Sequence, residues 1–136
     1  MRCMVRTASC LLGIMTAMTF GCARSENPQG RWRVETMNVL MQIAREVEAV
    51  ERPSSEPAPT TMPDFVQWLS KTYGGRELPY RRDAAGALVD AWGEPVVLVS
   101  VDDRLIAVAS KGQDRTWEGG LGDDMVAFIG SRVKVH

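Results

Sequence analysis

The sequence predicts an α+β fold in which two helices precede a small antiparallel sheet. Three observations support it: an apolar stripe at helical spacing in the first half, a segment with four prolines in 13 residues, and two β-rich runs near the C-terminal end. No segment long enough for a crossover helix separates the β-rich runs, so an antiparallel sheet is favoured over a parallel one. The 136 residues suit one domain better than two.

The first helix is predicted over residues 34–50, where apolar residues recur every three or four positions. The stripe consists of Val34, Met37, Leu40, Met41, Ala44, Val47 and Val50. The proline-rich segment 51–63 ends this helix, because proline lacks the amide proton that a helix interior needs. A second, short helix is predicted over residues 62–73, with Pro63 in its first turn and a glycine pair directly after its end.

The sheet is predicted to begin with a hairpin. Residues 96–101 and 105–109 are rich in β-branched side chains, and a polar turn at residues 102–104 separates them. Residues 125–129 and 132–135 are candidates for one further strand. We therefore expect the order helix, helix, sheet.

Composition excludes several classes of function. The chain has 16 Lys+Arg against 17 Asp+Glu, a formal net charge of -1, whereas a nucleic-acid-binding protein needs a clustered basic excess. Its single histidine is His136, and it has 3 cysteines, so a Cys/His zinc site and a Ser–His or Cys–His catalytic pair are poorly supplied. We predict a protein that is not an enzyme and has no small-molecule substrate.

The N-terminal segment has the pattern of an export signal. Two arginines precede an apolar run over residues 7–20, which is shorter than the roughly 20 residues that a membrane-spanning helix needs. Gly21-Cys22 at its end resembles a bacterial lipobox, which implies a signal peptide at residues 1–21 and lipidation of Cys22. A tether at 22–33 and a domain at 34–136 would follow, in the cell envelope and facing the periplasm. An uncleaved anchor and an ordinary signal peptide remain alternatives.

A loop near the C-terminal end collects acidic side chains. Asp114, Asp123 and Asp124 flank a glycine-rich stretch, and clustered carboxylates repel one another unless a cation neutralises them. Ca²⁺ suits such a loop, because it accepts about six to eight oxygen ligands in loose geometry, whereas Mg²⁺ needs a strict octahedron and Zn²⁺ prefers nitrogen or sulfur. The spacing is not that of an EF-hand, and a solvated acidic turn without a metal is the alternative.

Several short motifs, taken together, resemble one known family, the C-terminal domain of the G-type major pseudopilin of type II secretion systems. They span roughly residues 35–129, and the most specific two are Asp90-x-Trp92-Gly93-x-Pro95 and Ser110-x-Gly112-x-Asp114 followed by Asp123-Asp124. Pro59-Thr-Thr and Leu78-Pro79-Tyr80 precede them in the family's order.

The resemblance implies a site and a function. In that family Ca²⁺ is bound by the loop after the second strand, so Asp114, Asp123 and Asp124 would supply carboxylates, and Lys111 and Leu121 backbone carbonyls. The function implied is that of a non-enzymatic, calcium-stabilised, pseudopilin-like lipoprotein associated with type II protein secretion. Its partners would be a membrane, through the lipid, and secretion components or other pseudopilins.

The N-terminus departs from the family. It has no prepilin-peptidase site and no assembly helix with an early glutamate, so polymerisation in the family's manner is not expected. Two other functions remain open: a generic envelope lipoprotein that uses the same fold to bind an unrelated partner, and a small hydrolase that uses the acidic loop. The hydrolase is disfavoured because no Ser or Cys lies in a recognisable nucleophile setting.

Overall fold

The computed structural model describes residues 27–51 and 56–130. Within these residues the chain forms two helices, α1 (Pro28–Glu51) and α2 (Met62–Thr72), and then three strands, β1 (Val97–Val101), β2 (Arg104–Ser110) and β3 (Met125–Phe128). The strands form one antiparallel sheet in the order β1-β2-β3. The predicted α+β class and element order are therefore confirmed. The predicted signal peptide, Cys22 and residues 132–135 lie outside the described residues.

Helix α1 begins at Pro28, so part of the segment predicted as a tether over residues 22–33 is helical. Proline is favoured at a first helical position, and the side-chain oxygen of Asn27 accepts the Gln29 amide at 3.1 Å. Tertiary contacts stabilise the added turn: the Trp92 indole donates to the Gln29 side chain at 2.8 Å, and Trp32 meets Trp92 edge to face. A polar, proline-containing sequence does not reveal these distant contacts.

The buried face of α1 differs from the predicted stripe. Val34 is 63% exposed and Met41 40% exposed, whereas Thr36 and Ile43 are buried although the stripe omitted them. The apolar core joins this face to α2, to the segment between α2 and β1, and to the sheet; its most buried large side chains are Phe65, Leu40, Ile43, Leu69, Leu88, Val47 and Val108. Burying one such side chain contributes about 1.5–3 kcal/mol.

The ends of α2 and the tip of the hairpin follow the predicted turn chemistry. Gly74 and Gly75 both have positive φ, and the Gly74 amide donates to the carbonyl of Lys71. Asp102 and Asp103 adopt φ of 50° and 59° between β1 and β2, as a tight hairpin turn requires. Antiparallel pairing of β2 with β3 places Ser110, at the end of β2, beside Met125, at the start of β3. Residues 111–124 connect these two points as an irregular loop.

Candidate metal centre

Three carboxylates come together in the loop between β2 and β3. Ligand atoms of Asp114, Glu118 and Asp123 all lie within 4.8 Å of one another, so this cluster can hold a metal ion. Two of the three were predicted from the sequence, and Glu118 was not. Asp114 and Glu118 are exposed and Asp123 is half-buried. The structure therefore contains a candidate cation site in the predicted loop, and Glu118 is an additional candidate ligand.

Asp123 is held against the start of the loop. Its Oδ2 atom accepts the Asp114 amide at 3.0 Å. Gly112 has φ of +68°, and a Cβ at this position would lie 2.7 Å from that same Oδ2 and collide with the Asp123 carbonyl. Hydrogen bonding from the Asp114 backbone is the largest cause that lowers the pKa of Asp123, with a further contribution from the Gln113 backbone. Asp123 is therefore an ionised oxygen donor at neutral pH.

Asp124 holds the loop in place through two hydrogen bonds from backbone amides. Its Oδ2 atom accepts the amides of Glu118 at 2.8 Å and Gly120 at 2.9 Å. Its Oδ1 atom is buried and has no hydrogen-bond partner within the described part of the chain. Asp124 does not belong to the three-residue cluster, and its predicted role as a ligand stays a prediction. The hydrogen bonds show that it fixes the backbone of Glu118.

Glu118 reaches the cluster because Gly122 leaves room for it. A Cβ on Gly122 would collide with the Glu118 carboxylate, and the φ of +61° at Gly122 also favours glycine. The sequence motif from which the three aspartates were predicted does not include Glu118. The available signal was its position as a further acidic residue beside Gly119 in the same loop.

The two predicted backbone ligands lie in the same loop. Lys111 directly follows β2, and the Leu121 carbonyl accepts the Asp124 amide at 3.1 Å. A carbonyl oxygen has two lone pairs, so this bond leaves Leu121 able to bind a cation.

Arg115 pairs with Glu94 at 3.6 Å. Glu94 lies in the turn that precedes β1, so the basic side chain of Arg115 is directed to that turn.

A buried hydrogen-bond chain connects the loop to that turn. The Asp90 carboxylate is 2% exposed; its Oδ1 accepts the amides of Trp92 and Glu94, and its Oδ2 accepts the Ser110 hydroxyl at 2.6 Å. The Ser110 oxygen in turn accepts the Gly112 amide at 3.1 Å. The two motifs that carry the family resemblance are therefore in direct contact, and Asp90 has a structural role in the turn.

No family model matches the chain, and no match is found among curated proteins or solved structures. The resemblance to pseudopilins rests on the sequence motifs alone. Within residues 27–51 and 56–130, no helix has the length and apolar character needed to cross a membrane.

Proposed function

We propose that this chain is a non-enzymatic, calcium-stabilised domain of the pseudopilin type, attached by a lipid to the bacterial cell envelope and associated with type II secretion. The observation that carries the proposal is the convergence of Asp114, Glu118 and Asp123 in the loop that follows the second strand of the sheet. The order of helices, strands and loop is the order that the motifs imply.

The donor set favours calcium. All three side chains of the cluster offer carboxylate oxygens, which hard cations prefer. The nearby Asp124 has a buried oxygen that finds no hydrogen-bond partner in the described part of the chain. The loop is irregular and glycine-rich, so it can supply backbone carbonyls and admit water around a large ion. Ca²⁺ tolerates such variable geometry better than Mg²⁺ does.

A bound cation would act on stability. The loop joins β2 to β3, so repulsion among its carboxylates opposes the closure of the sheet. A ligand that binds only the native state stabilises it by about 2.7 kcal/mol at a free concentration of about 100 times its Kd. In a domain of this size that corresponds to a rise in Tm of about 10–20 °C.

The arrangement does not favour hydrolysis. The Ser110 hydroxyl is fully buried and donates a hydrogen bond to the Asp90 carboxylate, so it is not available as a nucleophile. Residues 27–51 and 56–130 contain no histidine that could serve as a base. A structural role for the cation needs neither a nucleophile nor a base, so it requires fewer additional groups than hydrolysis does.

Thermal unfolding with and without calcium tests the site. We expect Ca²⁺ to raise the Tm of the chelator-treated full chain and Mg²⁺ to raise it less. Asp123→Asn should abolish the response, because it removes an ionised donor. Asp103→Asn, the same change at an exposed hairpin position, should retain it. An unchanged Tm on calcium addition to the unmodified chain would refute the site.

The envelope and secretion parts of the proposal need separate tests. Metabolic labelling with an alkyne fatty acid should mark the protein, and Cys22→Ala should remove the label; a label retained in that variant would exclude lipidation at Cys22. In-cell crosslinking should recover type II secretion components. A labelled protein that crosslinks only to unrelated envelope proteins would instead support the generic lipoprotein function.

A further inference from the structure

A groove of 360 Å³ lies between helix α1 and the outer edge of strand β3. Met37 and Met41 line it on the helix side, and Val126 and Phe128 line it on the strand side. Phe128 is 60% exposed and Met41 40% exposed. The groove therefore leaves apolar side chains in solvent beside a strand edge.

The outer edge of β3 presents backbone groups that point into solvent. The Ile129 amide donates to the Ile106 carbonyl at 2.8 Å, so the backbone groups of Ile129 point to β2. Because these groups alternate in direction along a strand, the amides and carbonyls of Val126 and Phe128 point away from β2. Within residues 27–51 and 56–130, no strand pairs with this edge and no backbone hydrogen bond uses these groups. Such an edge is a template for another strand.

The free groups are arranged so that two copies of the edge fit each other. They belong to Val126 and Phe128, which lie on either side of Ala127. In an antiparallel pair of β3 strands with Ala127 opposite Ala127, each Val126 pairs with Phe128 of the second copy, and all of these groups are bonded. A two-fold axis relates the two copies. We propose that the outer edge of β3 is a homodimer interface, at which two copies of this chain join their sheets by antiparallel β3–β3 pairing about Ala127.

The side chains of β3 suit this register. Residues directly opposite each other in an antiparallel pair lie on the same face, so the exposed Phe128 meets the half-buried Val126 of the second copy. The two-fold axis forms this pair of an aromatic and a β-branched side chain twice, and such cross-strand pairs stabilise a sheet. The residue on the axis is alanine, whose small side chain lets the two strands approach.

The charges near the edge are compatible with a second copy. One base and one acid, Arg45 and Glu48, line the groove, so its lining has no net charge and favours an apolar, neutral occupant over a strongly charged peptide. The acidic loop ends at Asp124, three positions before Ala127. The two-fold axis therefore places the two copies of Asp124 roughly 20 Å apart along the paired strands, where repulsion between the loops is weak.

The interface is small and is separate from the candidate metal centre. Strand β3 has four residues, so the contact belongs to the class of weak interfaces that bury less than about 1,200 Å². We therefore expect the dimer to dissociate on dilution. None of the three clustered carboxylates lines the groove, so the inference does not rest on calcium binding.

Sedimentation and amide exchange by NMR on the full chain, in detergent micelles at increasing protein concentration, test the proposal. We expect a dimer to form, and the Val126 and Phe128 amides to exchange about tenfold more slowly once about nine tenths of the chain is dimeric. The Ala127 amide, which points to β2, should be equally protected throughout and is the control for folding.

Two results of this experiment would overturn the proposal. A monomer at every concentration is one; protected edge amides in that monomer would show that another part of the same chain occupies the edge. A dimer in which the edge amides of Val126 and Phe128 exchange freely is the other, because the copies would then meet elsewhere.

Two matched variants locate the interface. Phe128→Asp places a carboxylate beside Val126 of the second copy and should weaken the dimer about tenfold or more. Val101→Asp makes the same kind of change on β1, at a side chain that is 54% exposed, and should leave dimerisation unchanged. Both sites are exposed, so both variants should unfold in urea as the unmodified chain does. Equal dimerisation of the two variants would overturn the assignment to β3.

An isotope-filtered NMR experiment on mixed labelled and unlabelled chains tests the register. Contacts between the Phe128 ring of one copy and the Val126 methyl groups of the other are expected. A dimer without these contacts would overturn the pairing about Ala127.

Discussion

Replacing Ser110 with alanine should destabilise the fold strongly, because this hydroxyl joins two distant parts of the chain. Ser110 is fully buried; it donates to the buried Asp90 carboxylate at 2.6 Å and accepts the Gly112 amide at 3.1 Å. Alanine fits the space but removes both bonds. The Asp90 Oδ2 atom and the Gly112 amide would then lack the only hydrogen-bond partner that they have among the described residues.

The expected cost follows from the kind of bond. A hydrogen bond to a charged group contributes about 1.5–3 kcal/mol, and a neutral one contributes about 1 kcal/mol. Burial prevents water from replacing the lost hydroxyl, so we expect a total loss of about 3 kcal/mol in the free energy of unfolding. For a domain of about 100 residues this corresponds to a fall in Tm of about 12–24 °C.

Urea unfolding followed by tryptophan fluorescence measures this loss, with Ser100→Ala as the matched control. Ser100 lies on β1 and is exposed, so the same substitution there should change the free energy of unfolding by about 0.5 kcal/mol or less. Calcium affinity should also fall in Ser110→Ala, because Gly112 contacts Asp123. If the two serine variants were equally stable, the buried chain from Asp90 to Gly112 would not stabilise the fold.

Three further changes have defined outcomes. Burial is the largest cause that raises the pKa of Tyr80 above its ordinary value of 10.0, and the neighbouring Glu46 carboxylate raises it further. The native state therefore opposes deprotonation, and its stability should decline as the pH rises above about 10; Tyr80→Phe should reduce this decline in urea titrations at pH 8 and 11, and an unchanged decline would exclude Tyr80 as its source. Gly122→Ala should displace Glu118 and weaken calcium binding in calorimetry, and wild-type affinity would contradict the placement of that side chain. Phe65→Ala should lower the free energy of unfolding by about 3–5 kcal/mol, since Phe65 is fully buried; a loss below about 1 kcal/mol would contradict its place in the core.

The element order could be predicted because it depends on local patterns. Helical spacing, a proline-rich break and a glycine pair locate α1 and α2 approximately, and two β-branched runs around a polar turn locate the hairpin. The start of α1 could not be predicted, since the contacts of Gln29 and Trp32 with Trp92 stabilise its first turns. Its buried face also differed, because packing against the sheet, rather than the density of apolar residues, decides which side is covered.

The candidate site, like the fold, could be predicted only in part from the sequence. The sequence alone determined that carboxylate oxygens, rather than sulfur or nitrogen atoms, are the candidate metal ligands, and that they gather in one glycine-rich loop. Only the tertiary structure decided which carboxylates meet: Glu118 joins Asp114 and Asp123, and Asp124 turns one oxygen to the loop backbone. The physical reason is that a loop's path depends on its anchors. The anchor at Ser110 is a hydrogen bond to Asp90, a residue 20 positions earlier in the chain.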